Sequence, residues 1–249
     1  NGNIVELKKL MGKTDLMVWT YGSIIPEKVG KGIQQFSKAG ITMWRASAFK
    51  GADGVMADVP NLKVRSENLM AWINTSRETP IKGLVATGWS RYNTFLAPCE
   101  SIETSLDALV LAAWSMRDGV LPENAVEKAR SFLNKGRMKK LAGRRFLECI
   151  NAGIELQEWR NNSLDALKSY WVRSATIYGE EDRCNPLEEK NIVDEIRGAI
   201  KKGKELSDNW YRAHKNFVPD LWLRYYVKSR IWQVETYGSK VLEKLCHRV

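Results

Sequence analysis

The chain has 249 residues and a formal charge of +10, a length that suits one complete (β/α)8 barrel or two smaller domains and easily supports a buried core. The charge is spread, with 14 Lys and Arg against 11 Asp and Glu in residues 1–119 and 25 against 18 in residues 120–249, so interleaved acids argue for solvated helix faces and against a nucleic-acid surface. The four cysteines, Cys99, Cys149, Cys184 and Cys246, form no CxxC pair, so zinc spacing is absent; two histidines, His214 and His247, argue against a His-based metal site; no run of about 18 apolar residues occurs, so no transmembrane helix is expected; and free thiols in a reducing compartment are the default.

The first part alternates helix and strand. Ile4, Leu7, Leu10 and Met11 recur at helical spacing, and Leu16 to Tyr21 is a short apolar, β-prone run. Pro26 suits a first helical turn, Val29, Ile33 and Phe36 follow at i, i+4 and i+7, and Gly40 stops that helix. Ile41 to Phe49 reads as the next strand, and residues 51–60 as a loop. Ser66 is placed to cap a helix carrying Leu69, Met70 and Ile73. Gly83 to Gly88 is small or apolar throughout and reads as a buried strand ending at Trp89, followed by a helix from about Ile102 to Met116. Strands separated by helices predict a parallel sheet, and three strand–helix units are too few to close a barrel of eight.

After Gly119 only helical periodicity remains. A short helix opens at Leu121-Pro122-Glu123 and runs to about Leu133, a long one runs from about Arg144 to Tyr178, a third opens at Pro186 and a fourth at Pro219. Four such helices predict an antiparallel bundle. The expected organisation is therefore an α/β domain over residues 1–119 and an all-α helical bundle over residues 120–249.

Side chains alternate along a strand, so Met17, Trp19 and Tyr21 share one face, as do Val85, Thr87 and Trp89. Both strands thus deliver an aromatic residue to the C-terminal end, where barrel pockets open. Aromatic faces suit the apolar face of a sugar ring, and a carboxylate such as Glu100 suits its hydroxyls. Trp19, Trp44 and Trp89 also fit a plain core between sheet and helices. For Trp89 the neighbours Arg91, Tyr92 and Glu100 favour binding, because such groups are costly to bury without a purpose.

Three blocks carry a family resemblance: MVWTYG at 17–22, WRASAFKGADG at 44–54 and GLVATGWSRYNTFLAPCE at 83–100. They resemble the C-terminal part of the catalytic (β/α)8 barrel of family 20 glycoside hydrolases, in its hexosaminidase D-like branch of β-N-acetylhexosaminidases. The resemblance implies retaining hydrolysis of terminal β-linked N-acetylglucosamine or N-acetylgalactosamine. In that scheme the substrate's own 2-acetamido group is the nucleophile, and an adjacent Asp-Glu pair orients it and serves as acid/base. It implies Trp89 as the floor of the sugar subsite, Tyr21 or Trp19 lining the acetamido pocket, Glu100 on a sugar hydroxyl, and Arg91 and Tyr92 at the rim. No metal or other cofactor is implied.

The implied Asp-Glu pair has no counterpart here. Asp194-Glu195 falls within helical periodicity and reads as a solvated helix face, and Glu180-Glu181-Asp182 reads as a loop. The expectation is that no catalytic residue lies in this chain, that the pair lies upstream in a longer enzyme, and that the isolated chain is inactive. The implied partner is a glycan or glycoconjugate with terminal β-N-acetylhexosamine, with no nucleic acid and no membrane. An open three-stranded sheet is further expected to aggregate, or to pair with the missing N-terminal half or a second copy. A different class stays open: residues 121–249 as a protein- or nucleic-acid-binding module on a non-catalytic α/β support. A different barrel hydrolase with strand-end aromatics is disfavoured by the three blocks.

Overall fold

The computed structural model describes residues 4–54, 56–89, 99–140, 143–176 and 186–246. It divides into two compact units, one formed by Asn1–Arg91 with Cys99–Leu147 and the other chiefly by Glu148–Val249. The arrangement is α/β followed by all-α.

The first unit is built on three parallel strands in the order β1 (Asp15–Trp19), β2 (Thr42–Lys50) and β3 (Gly83–Gly88). Met17 stands beside Trp44, Trp19 beside Ala46, Ala46 beside Val85 and Ala48 beside Thr87. The register slips between Ala48 and Lys50, at the C-terminal end of β2. The helices are α1 (Ile4–Lys8), α2 (Glu27–Lys38), α3 (Leu62–Glu78), α4 (Leu106–Asp118), α5 (Ala125–Leu133) and α6 (Gly136–Lys140).

Alternation along the strands decides which residues meet the helices. Ile33 of α2, Met43 of β2 and Trp72 of α3 form one buried cluster, joined by Leu16 and Val18 of β1. Leu69 of α3, Leu84 of β3, Leu111 and Ala112 of α4 and Ala129 of α5 form another. The opposite sheet face carries Met17 at 45% exposure and Trp19 at 54%, with Trp44, Val85, Thr87 and Trp89 half-buried. On that face the Trp44 ring lies over Gly83, which leaves no room for a Cβ there, and its indole N–H donates to the Asp15 carboxylate at 2.9 Å.

Element boundaries follow local chemistry. Helix α2 starts after Pro26, and Gly40 takes the left-handed φ of +76° beyond its end. Helix α3 begins four residues before Ser66, because the Asn61 side chain accepts from the Val64 N–H and caps it there. Gly119 closes α4 in the left-handed region at φ +65°.

The second unit holds α7 (Gly143–Thr176) from Glu148 onward, α8 (Pro186–His214) and α9 (Asp220–Cys246). Helices α8 and α9 run antiparallel: Trp210 stacks on Tyr226 at 4.4 Å near the connecting turn, and Ile196 meets Gly238 at the far end. Helix α7 is antiparallel to α8, with Cys149 bonded to the Ala213 carbonyl and Trp159 to that of Ala199. Leu156, Leu206, Trp210 and Leu223 form the core near the turn, and Leu167, Ile196, Val234 and Val241 the core further along. The expected fourth bundle helix, Ala125–Leu133, packs instead on α4 in the first unit, because its apolar stripe of Ala125, Val126 and Ala129 finds Leu111 and Leu84 there. Among the described residues no helix is long and apolar enough to cross a membrane.

Candidate functional site

The C-terminal ends of β1 and β3 lie close together across β2, and they bring three of the expected aromatics into contact. Trp19 and Trp89 meet edge-on with centroids 5.2 Å apart and an interplanar angle of 74°. Tyr21 and Trp89 do the same at 6.1 Å and 70°. The Trp89 indole N–H donates to the Tyr21 phenolic oxygen at 3.0 Å, and the Thr87 hydroxyl sits 3.5 Å from that oxygen. Edge-to-face geometry is favoured by the ring quadrupoles, so the three rings hold one another at fixed angles. Trp19 remains more than half exposed, so its indole is available to a ligand.

The backbone under Trp89 is pinned from β2. Its N–H donates to the Lys50 carbonyl at 3.2 Å, and its own carbonyl accepts from the Lys50 ammonium at 2.7 Å and from the Cys99 thiol at 3.4 Å. Lys50 is 6% exposed, so that ammonium bond forms away from bulk water, where charge-assisted bonds are strong. Gly51 has φ +76°, and a Cβ there would overlap the Trp89 carbonyl oxygen and come within 2.6 Å of its Cβ. Only glycine lets the β2 end approach Trp89 this closely.

Glu100 is fully buried. Its Oε1 accepts from the Gly51 N–H at 2.9 Å, whereas its Oε2 is buried without a hydrogen-bond partner. Burial pushes the Glu100 carboxyl above the usual range, partly opposed by the bond from Gly51. Asp53, which adds a small upward push on Glu100, is itself paired with Arg65 at 3.1 Å and capped by the Asn61 N–H at 2.9 Å.

Of the residues expected at the site, the structure gathers Trp89, Trp19 and Tyr21 in one cluster, and ties Glu100 through Gly51 to the backbone beside it. Arg91 and Tyr92 lie outside the described residues, as do Glu180, Glu181 and Asp182. Asp194 and Glu195 are both exposed on α8. Trp44 sits at the other end of the sheet with Asp15 and Lys82. Among the described residues no cluster of His, Cys, Asp and Glu is suited to a metal ion.

Sequence reasoning missed Lys50, Arg65, Asn68 and Trp72. The last three lie at i, i+3 and i+7 on α3, one face of the helix, and all are buried. A signal was present: Arg65 and Asn68 flank the apolar stripe of Leu69 and Ile73, where a solvent-facing role is not available to them.

No family model matches the chain. The chain is similar to Hexosaminidase D of Bos taurus, 27% identical over 135 residues, which is 52% of this chain and 39% of that protein. It is also similar to Hexosaminidase D of Homo sapiens, 27% identical over 112 residues, which is 43% of this chain and 23% of that protein. The chain thus spans 39% and 23% of the lengths of these two curated relatives, and the likeness reaches a hexosaminidase-related, glycosidase-like protein as a distant relationship.

Proposed function

We propose that this chain is part of a carbohydrate-processing hydrolase whose α/β unit supplies the sugar-binding wall of a β-N-acetylhexosaminidase-type site. The single observation that carries this reading is the Trp19–Trp89–Tyr21 cluster at the C-terminal ends of parallel strands. Two partial likenesses to proteins named Hexosaminidase D support it. An indole face offers a sugar the apolar contact that its C–H groups make well, and rings fixed by their neighbours lose little entropy on binding.

In this reading the three strands are the C-terminal part of a family 20 glycoside hydrolase (β/α)8 barrel, and the uncovered face with Met17, Trp19 and Val85 looks toward the barrel interior. Trp89 floors the subsite, Tyr21 and Trp19 line the acetamido pocket, Arg91 and Tyr92 shape the rim, and Glu100, expected on a sugar hydroxyl, is buried and braces the site through the Gly51 N–H. Hydrolysis needs an acid at the glycosidic oxygen and a group that orients the 2-acetamido nucleophile. Glu100 is buried and Asp53 is paired with Arg65, and in this reading both functions belong to an adjacent Asp-Glu pair supplied by the rest of the enzyme. The chain then binds the sugar without cleaving it.

The test is turnover of p-nitrophenyl N-acetyl-β-glucosaminide and N-acetyl-β-galactosaminide by residues 1–249. The expected result is no hydrolysis above background. Hydrolysis by this chain alone would place the acid within it and overturn that part of the reading.

A further inference from the structure

The loop that follows β1 is held by one face of α3. Asn68 Nδ2 donates to the Thr20 carbonyl at 3.0 Å and to the Gly22 carbonyl at 2.7 Å. Arg65 Nη2 donates to the Tyr21 carbonyl at 2.8 Å, and Trp72 Nε1 to that of Thr20 at 3.4 Å. Three consecutive carbonyls are therefore captured from the helix side of the sheet, while the Tyr21 ring reaches Trp89. The captors are themselves fixed. Asn68 Oδ1 accepts from the Ser47 hydroxyl at 2.7 Å, which assigns the orientation of its amide, and Arg65 also bonds the Asp53 carboxylate at 3.1 Å. Asn68 and Trp72 are fully buried and Arg65 is 2% exposed, so water cannot replace the bonds if one is lost.

We infer that Asn68 and Arg65 are positioning residues for the aromatic site, setting the place of Tyr21, and through it the angle of Trp89, by clamping the backbone of residues 20–22. The inference rests on the reading of Trp89 as the sugar-facing indole only for its effect on binding. Its effect on the aromatic cluster stands apart from that reading. A further polar bond between α3 and β2, from Arg45 to the Ser76 hydroxyl at 2.8 Å, lies at the far end of the helix and touches none of these loop carbonyls, which makes it a control for stability alone.

The experiment compares Asn68→Asp and Ser76→Ala in the full chain. Near-UV circular dichroism, read as the part of the parent band that Trp89→Phe removes, reports the coupled Trp19, Trp89 and Tyr21 rings apart from the Trp210–Tyr226 stack; thermal melting reads stability, and N-acetylglucosamine titration by tryptophan fluorescence reads the site. Aspartate at 68 has the size of asparagine but turns a carboxylate oxygen on the Thr20 and Gly22 carbonyls. The expected result is collapse of the coupled aromatic band and about tenfold weaker sugar binding, the loss that about 1.4 kcal/mol produces. Ser76→Ala is expected to lower the melting temperature and leave the band intact. In a Tyr21→Ala background Asn68→Asp should weaken binding no further. If Asn68→Asp does not fold, Ser47→Ala, which removes only the bond orienting the amide, should give a smaller change of the same kind. An unchanged aromatic band in folded Asn68→Asp or Ser47→Ala would overturn the inference. A normal band response in a parent chain that binds no sugar would sustain it and sink the sugar reading instead.

Discussion

Trp89 and Tyr21, 68 positions apart and just past the C-terminal ends of the two outer strands, are joined by a hydrogen bond of 3.0 Å from indole N–H to phenolic oxygen. That bond spans β2 and closes the aromatic cluster. Tyr21→Phe keeps the ring and removes the acceptor, leaving a half-buried indole N–H unsatisfied. The expected cost is about 0.5–1.5 kcal/mol, read as roughly two- to tenfold weaker N-acetylglucosamine binding with the fold intact by far-UV circular dichroism.

Gly51→Ala combines two penalties. The backbone there has φ +76°, and the new methyl group would overlap the Trp89 carbonyl, which is backbone and cannot swing aside. The left-handed region alone costs an L-residue about 1–2 kcal/mol, and the overlap adds to it. Thermal melting should show a fall of several degrees, together with a change in Trp89 fluorescence because its carbonyl anchors on Lys50 and Cys99 are disturbed.

The buried Glu100 makes stability depend on pH with a definite sign. Its folded pKa is raised by desolvation, so between the unfolded and folded values the native state holds more protons than the unfolded chain. Stability is then full below the ordinary carboxylate range and is lost as pH rises through the raised folded value. Asp107, also raised by burial against the opposing bond from Arg130, contributes with the same sign. Chemical denaturation from acid to neutral pH should show stability falling across that window, and Glu100→Gln should flatten the slope. An unchanged slope in Glu100→Gln would assign the effect to other groups.

The uncovered sheet face has consequences for solution behaviour. Met17 and Trp19 are exposed beside half-buried Trp44, and β1 and β3 each have one strand neighbour among the described residues. Apolar patches and open strand edges of this kind drive association. Sedimentation velocity should find concentration-dependent self-association of the chain, reduced by Met17→Lys. A monodisperse monomer at all concentrations would contradict this.

Much of the architecture was legible because it is written in local periodicity. The apolar runs Leu16–Tyr21, Ile41–Phe49 and Gly83–Trp89 correspond to β1, β2 and β3 within a few residues, and the period from Arg144 to Tyr178 corresponds to α7. Pro26 and Gly40 marked the ends of α2 because their backbone limits are intrinsic. The start of α3 was misplaced at Ser66 because two capping residues competed, and Asn61 has the N–H of Val64 within reach. The strand-end aromatics were visible by alternation. Their contacts were not, since the Trp89–Tyr21 bond depends on the register of three strands. The burial of Arg65 and Asn68 could be read from their place beside the apolar stripe of α3, but their targets, and that of Lys50, could not, because most of these are backbone carbonyls, which carry no sequence signature.

The central claim is that the strand-end aromatics form a sugar site, and the most direct measurement is N-acetylglucosamine titration of the 249-residue chain beside its Trp89→Ala variant, followed by tryptophan fluorescence and by isothermal calorimetry. The account predicts saturable binding by the parent, with quenching that is lost along with the affinity in Trp89→Ala while the melting cooperativity survives. Absence of binding by the folded parent, or binding that Trp89→Ala leaves unchanged, would contradict it.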